Sequence, residues 1–161
     1  MAVNPEIIEA LTDGIQSEIA TYVFYLEVIK IVKDDKMIPV LENLAMEEKK
    51  HFQILERQHD SLIRSEKWVS TADILRQEGL PEISKEMQDK HKDLIARVKI
   101  LKTTREILNM ALELEIEARD LFIKFEDMAE SDEGKKTFER LAGFEEGHAK
   151  LIRNMIQNLK D

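Results

Sequence analysis

Apolar residues recur every three or four positions through four long stretches of this chain. That spacing places side chains along one face of an amphipathic α-helix. In the first stretch the apolar face comprises Leu11, Ile15, Tyr22, Tyr25 and Ile29. The pattern predicts four long helices, over about residues 5–34, 39–68, 103–129 and 132–159.

The lengths of the connections predict how these helices pack. Only a few residues join the first helix to the second and the third to the fourth, so each pair should form an antiparallel hairpin. A helix of about 28 residues is about 42 Å long, and the middle connection is long enough to return along it. We therefore predict one all-α domain over residues 1–161, a four-helix bundle with a long crossover that contains short helical segments. Its parts are a hairpin (5–68), the crossover (69–102) and a second hairpin (103–159).

Within the crossover the sequence leaves two interpretations open. Ser70 and Asp73 suggest a short helix that ends before Gly79. Pro81 would then restart the chain. Alternatively, residues 85–102 form the start of a longer third helix.

Composition narrows the range of functions. The formal net charge is −9 and no basic stripe is present, which argues against nucleic acid as a partner. No apolar run approaches the roughly 18 residues of a membrane span, and the start of the chain has no signal-peptide pattern, so we expect a cytoplasmic protein without membrane contact. Cysteine is absent, so any metal ion bound here would have oxygen and imidazole ligands.

The most informative feature is a repeat of ionisable residues. A shift of the sequence by 97 positions aligns three of them with counterparts: Glu18 with Glu115, Glu48 with Glu145, and His51 with His148. Each half thus supplies one Glu from its first helix and a Glu-x-x-His pair from its second. Residues three apart on a helix share a face, so each pair can reach one metal ion. The other two histidines, His59 and His91, have no counterpart and are interpreted as surface residues.

The predicted positions of the four glutamates favour a metal centre over surface ion pairs. Glu18 and Glu115 interrupt apolar faces, and all four lie near the middle of their helices. No Lys or Arg stands on those inner faces at matching depth, so burial of the four carboxylates without cations would be severely destabilising. Two divalent cations would balance the four charges, with His51 and His148 as neutral ligands. These ligand types suit Fe or Mn, and Zn would also bind.

One tyrosine lies close enough in sequence to take part. Tyr25 follows Glu18 by seven residues on the same helix face. Its hydroxyl could donate a hydrogen bond to a ligand carboxylate or to a bound oxygen species. The alternative interpretation is an ordinary core aromatic residue.

These residues lie in stretches that resemble the ferritin-like superfamily and, within it, the rubrerythrin family: SEIATYVFY, LAMEEKKHFQIL, ALELEIEARDLF and LAGFEEGHAKLI. The resemblance covers all four long helices and implies a ferritin-like four-helix bundle that binds two iron ions. By the family pattern, Glu48 and Glu145 would bridge the ions. Glu18 and Glu115 would be terminal ligands, and His51 and His148 would each bind one ion.

The resemblance also implies an activity. Family members react Fe(II) with hydrogen peroxide or dioxygen, so we expect a di-iron oxidoreductase that takes electrons from an external donor protein, and a homodimer. Two features depart from the family. The four cysteines of a rubredoxin-like domain are absent, and Leu112 and Ala118 stand where rubrerythrins proper carry an extra Glu beside the terminal ligand. The alternatives are therefore a ferroxidase or iron-handling protein, and a non-enzymatic bundle that binds metal structurally.

Overall fold

The computed structural model describes residues 3–77 and 82–160, and within them every regular element is helical. In chain order the α-helices are α1 (Pro5–Ile29), α2 (Ile38–Ser65), α3 (Thr71–Leu75), α4 (Lys85–Asp89), α5 (Lys92–Lys99), α6 (Thr104–Met128) and α7 (Asp132–Gln157). A 3₁₀ turn, Asp35–Met37, precedes α2. Four helices are long and three short ones lie in the crossover.

The packing of the long helices confirms the predicted bundle. Helix α1 packs against α2 and α6 against α7, and α1 also runs beside α6. Short connections join the members of each pair, so both pairs are antiparallel hairpins. Helices α4 and α5 contact α1, which places the crossover along the first hairpin. The chain is therefore an all-α, ferritin-like helical bundle.

Side-chain caps begin the first helix of each hairpin. The side-chain oxygen of Asn4 accepts a hydrogen bond from the N–H of Glu6 at 2.9 Å. Thr103 Oγ1 accepts one from the N–H of Glu106 at 3.1 Å. Each bond satisfies an N–H group that helix geometry leaves without a partner. The caps thus set where α1 and α6 begin, and with that the depth of the glutamates they carry.

The ends of two long helices and one interpretation of the crossover differ from the sequence expectations. Helix α1 ends at Ile29, five residues before the predicted end. Asp34 instead caps the 3₁₀ turn that follows, by accepting a hydrogen bond from the N–H of Lys36 at 3.0 Å. Helix α2 ends at Ser65, three residues before the predicted end, where Glu66 takes a left-handed conformation with φ 58°. In the crossover, α4 and α5 are separate from α6, so residues 85–102 do not extend that helix.

At the start of the crossover the predicted short helix is present. Ser70 Oγ accepts from the N–H of Asp73 at 3.1 Å and begins α3. The expectations for Gly79 and Pro81 lie outside the described residues.

Two large apolar clusters divide the bundle along its length. One includes Leu11, Leu55, Ala118, Phe122 and Leu141. The other includes Tyr25, Leu44, Leu108, Ala111 and Ile152. Each long helix passes from one cluster to the other, and the four glutamates of the repeat lie at the crossing points. They therefore form a polar layer with apolar packing on both sides.

Candidate metal centre

The polar layer brings all six predicted ligand residues together. They form two groups, in each of which one ligand atom per residue lies within 4.8 Å of the others. The His51 group consists of Glu18, Glu48, His51 and Glu145, and the His148 group of Glu48, Glu115, Glu145 and His148. Because Glu48 and Glu145 belong to both groups, the two groups form one continuous cluster.

In the His51 group the carboxylates surround one ring nitrogen. Nδ1 of His51 lies 3.0 Å from Glu145 Oε1, 3.4 Å from Glu48 Oε2 and 3.6 Å from Glu18 Oε2. These residues reach the cluster from α1, α2 and α7. Two ligand atoms that are each about 2.1 Å from one ion lie about 3 to 4 Å apart, so the spacing suits a shared ion.

The His148 group repeats this arrangement with the helix pairs exchanged. Nδ1 of His148 lies 2.9 Å from Glu48 Oε1, 3.4 Å from Glu115 Oε1 and 3.7 Å from Glu145 Oε2. The 97-residue repeat in the sequence therefore corresponds to two similar sets of ligand atoms that share Glu48 and Glu145.

The four carboxylates are completely buried but lack enough hydrogen-bond partners. Each has a relative exposure of 0%. Five of their oxygen atoms have no hydrogen-bond partner, namely both oxygens of Glu18 and Oε2 of Glu48, Glu115 and Glu145. Their ion pairs among the described residues run to the two histidines and to no Lys or Arg. Buried polar atoms without partners are costly, so as protein alone the cluster leaves five candidate ligand oxygens unsatisfied.

The carboxylates change the protonation of both histidines. Burial alone would lower the pKa of His51, but the hydrogen bond to Glu145 and the negative charge of that residue raise it to about 10. Burial would likewise lower the pKa of His148, but the carboxylates of Glu115, Glu145 and Glu48 around its ring raise it to about 12. Without a metal ion both rings therefore carry an extra proton at neutral pH. A metal ion that binds these nitrogens must displace those protons.

The glutamates differ in how readily they ionise. Burial, together with the charges of Glu145 and Glu48, raises the pKa of Glu18 well above its usual value. Burial and the charge of Glu145 raise the pKa of Glu115 to about 7, against the opposing effect of His148. Burial and the charge of Glu48 also act to raise the pKa of Glu145, but the neighbouring Glu115 and the two histidines lower it to about 2. Crowding of like charges in a buried cluster is typical of a functional site.

The donor set fits a pair of divalent cations. Four carboxylates carry the charge that two such ions balance, and the five unpartnered oxygens are available as ligand atoms. Carboxylate and imidazole together suit first-row transition metals. The cluster is therefore compatible with binding metal ions.

Tyr25 joins the cluster from α1. Its hydroxyl donates a hydrogen bond to Glu115 Oε1 at 2.6 Å, and the side chain is fully buried. Burial and the charge of Glu115 raise the pKa of Tyr25 well above its usual value, so the phenol keeps its proton. The ring also packs edge-on against Phe24, so both interpretations of this tyrosine apply. Its counterpart in the repeat, Phe122, has no hydroxyl, and Glu18 accepts no such bond.

Phe144 is a contact residue that sequence reasoning missed. Its ring stacks on His51 with a centroid separation of 5.1 Å and an interplanar angle of 9°. His51 in turn stacks on His148 at 5.5 Å and 22°. The available signal was that Phe144 directly precedes the second Glu-x-x-His pair. That signal was weak because Phe144 stacks on His51, which lies on a different helix.

The remaining two histidines lie outside both groups. His59 and His91 are half-buried, which is less exposed than the expected surface position. Burial and the neighbouring charge of Lys90 lower the pKa of His91, so its ring is neutral at pH 7.

The fold and the cluster define a ferritin-like helical protein with a buried carboxylate–histidine centre. Comparison with protein families is consistent with this class. The rubrerythrin family matches residues 106–161, which include most of α6 and all of α7. The match contains Glu115, Glu145 and His148, and it confirms the resemblance to rubrerythrins that the sequence predicted.

A solved structure supports the fold over nearly the whole chain. A hypothetical protein from Pyrococcus furiosus superimposes with a TM-score of 0.65 at 22% sequence identity, covering 94% of this chain and 88% of its own. At that identity the likeness shows the fold alone. No protein of curated function matches this chain significantly. Among the described residues, no helix has the length and apolar character needed to cross a membrane.

Proposed function

We propose that this protein is a non-haem di-iron oxidoreductase that reduces hydrogen peroxide or dioxygen with electrons from an external donor. The observation that carries the proposal is the convergence of five buried, unpartnered carboxylate oxygens with two imidazoles. The rubrerythrin match over the second hairpin supports iron as the metal. The same ligands would accept Mn or Zn, so iron is the metal to test first.

The proposed ligand roles follow from which residues the two groups share. Glu48 and Glu145 contribute to both groups and would bridge the two ions. Glu18 and Glu115 each contribute to one group and would be terminal ligands. Each histidine would bind the ion of its own group.

Bound as an Fe(II) pair, iron would supply the two electrons that convert one hydrogen peroxide molecule and two protons into two water molecules. The chain itself holds the ligands in place and limits access of bulk water, since all four carboxylates are fully buried. Tyr25 orients Glu115 through its 2.6 Å hydrogen bond and retains a proton at its hydroxyl next to that ligand.

The proposed cycle requires a source of electrons. These 161 residues contain no cysteine and therefore no cysteine-ligated iron centre that could relay electrons to the cluster. We accordingly include a separate electron-donor protein in the proposal. A cytoplasmic location and a homodimeric state are further parts of it, to be tested by fractionation and by light scattering.

Turnover with peroxide tests the proposed activity. Metal-free protein would be loaded with Fe(II) without oxygen, freed of excess metal, and mixed with hydrogen peroxide and a chemical reductant. We expect many equivalents of peroxide to be consumed per chain, and none above background in His148→Ala. A single oxidation per iron followed by release of Fe(III) would replace the proposal with a ferroxidase. Bound metal that does not react with peroxide would leave a structural metal-binding bundle.

A further inference from the structure

The six candidate ligands are not equally accessible to solvent. The four glutamates are fully buried and His51 is 2% exposed, whereas the side chain of His148 is 13% exposed. On the α1–α6 side, the two helices pack together and Tyr25 is fully buried. Among the ligands, therefore, the cluster meets solvent chiefly at His148.

The residue four positions before each histidine differs between the two halves. Phe144 precedes His148, crosses to α2 and stacks on His51. Phe144 is itself 39% exposed and its ring stacks on His51, so the ring covers that face of the imidazole toward solvent. Its counterpart in the repeat, Glu47, has a 35% exposed side chain and pairs with Lys50 at 3.3 Å. The aromatic cover is thus present on one side of the cluster and replaced by a charged residue on the other.

We propose that Phe144 covers the His51 position, so that metal ions exchange with solvent past His148. The inference rests on the proposed metal centre. It predicts that the ion at the His51 position exchanges more slowly than the ion at the His148 position. Phe144 acts through His51 as a positioning residue, because its ring contacts that imidazole and supplies no ligand atom.

The test follows metal release in the absence of any oxidant. Fe(II)-loaded protein would be counted for bound iron and then mixed anaerobically with an excess of a coloured Fe(II) chelator. The wild-type protein should release iron in two phases of equal amplitude. The faster phase would come from the His148 position and the slower one from the covered His51 position.

Two substitutions exchange the covers. Phe144→Ala should accelerate the slow phase by about two- to tenfold, the range expected from the loss of one aromatic contact. Glu47→Phe should slow the fast phase by placing a ring at the equivalent position, and Glu47→Ala separates that effect from loss of the charge. Ile63→Ala removes another exposed apolar side chain, 12 residues or about 18 Å further along α2 from His51, and should change neither phase.

The outcomes separate this inference from the proposed function. If Phe144→Ala fails to retain iron, Phe144→Leu keeps the apolar bulk without the flat ring and should give a smaller acceleration. Release of iron in a single phase from the wild-type protein would overturn the inference. So would two phases whose rates are unchanged in both Phe144→Ala and Glu47→Phe. A count far from two irons per chain before mixing would count against the metal centre itself.

Discussion

The His51 group and the His148 group present matching ligands in different surroundings. On the side of the terminal glutamates, Tyr25 donates a hydrogen bond to Glu115, whereas Phe122 stands at the counterpart position. Glu18 therefore has two oxygens without partners, and Glu115 has one. The protein thus supplies a hydrogen-bond donor to Glu115 and none to Glu18, whose two oxygens remain available to a metal ion.

Around the histidines, by contrast, it is the His51 group that has an additional contact. Phe144 stacks on His51, while the residue equivalent to it is Glu47 and His148 is more exposed. The repeat is thus preserved in the candidate ligands but not in two of the residues beside them, Tyr25 and Phe144. Charge balance at a pair of ions requires the ligands to match, but it places no such requirement on their neighbours.

Loss of a shared glutamate should have the largest effect. Glu48→Ala removes a ligand from both groups, whereas Glu18→Ala removes one from the His51 group alone. We expect bound Fe(II) to fall from about two per chain to nearly none in Glu48→Ala and to about one in Glu18→Ala. Metal analysis after anaerobic loading and desalting measures both. Equal iron content in the two variants would show that the groups do not share Glu48.

Metal loading should stabilise the whole bundle. An ion that binds only the folded state, present at about 1,000 times its Kd, adds about 4 kcal/mol to the free energy of unfolding. For a chain of this size that corresponds to an increase in Tm of about 8–16 °C. Anaerobic calorimetry of metal-free and Fe(II)-loaded protein measures the difference, with Glu48→Ala as the control that should show none. The same Tm in both forms of the wild-type protein would argue against a metal centre in the core.

Raising the pH should weaken the metal-free fold. The pKa of Glu115 is raised from 4.5 to about 7, so its contribution to stability is complete below pH 4.5 and is lost as the pH rises through 7. The pKa of His51 is raised from 6.5 to about 10, so its contribution is complete below pH 6.5 and is lost as the pH rises through 10. Metal binding should instead strengthen with pH, since it displaces these protons.

Denaturant titrations of the metal-free protein at several pH values check this dependence. Glu115→Gln should flatten the decline between about pH 5 and pH 7, by about 3 kcal/mol at most. The variant should be the more stable protein at neutral pH even though it has lost a candidate ligand. A free energy of unfolding that rises over this pH range in the wild-type protein would contradict the raised pKa of Glu115.

The smallest effect is expected from removing the tyrosine hydroxyl. Tyr25→Phe makes the surroundings of Glu115 resemble those of Glu18, at a cost of about 1.5 kcal/mol for a buried hydrogen bond to a charged acceptor. Urea unfolding of the metal-free protein measures the change. Tyr22→Phe, on the same helix but only half-buried, is the matched control and should change stability by less than about 0.5 kcal/mol. Equal losses of unfolding free energy in the two variants would show that the bond from Tyr25 does not distinguish Glu115 from Glu18.

The sequence predicted the parts of this molecule that repeat. Long apolar periodicity located the four main helices, because many residues contribute to each pattern. The 97-residue shift located the six candidate ligands, which the fold then brought into one cluster. The end of α1 was predicted less well, because the helix stops at Ile29 although the apolar residues Ile31 and Val32 follow it.

Contacts between distant helices could not be predicted in the same way. The stacking of Phe144 on His51 joins α7 to α2, and the bond from Tyr25 to Glu115 joins α1 to α6. Both depend on the relative rotation of helices that are far apart in sequence, which a helical period does not specify. The sequence could therefore name Tyr25 as a candidate but could not choose its partner.

Anaerobic titration of the metal-free protein with Fe(II) tests the central claim most directly. The account predicts saturation at about two Fe(II) per chain, with the second equivalent lost in His148→Ala. An end point near zero, or a variable fraction that His148→Ala leaves unchanged, would contradict the claim that the buried carboxylate–histidine cluster is a dinuclear metal centre.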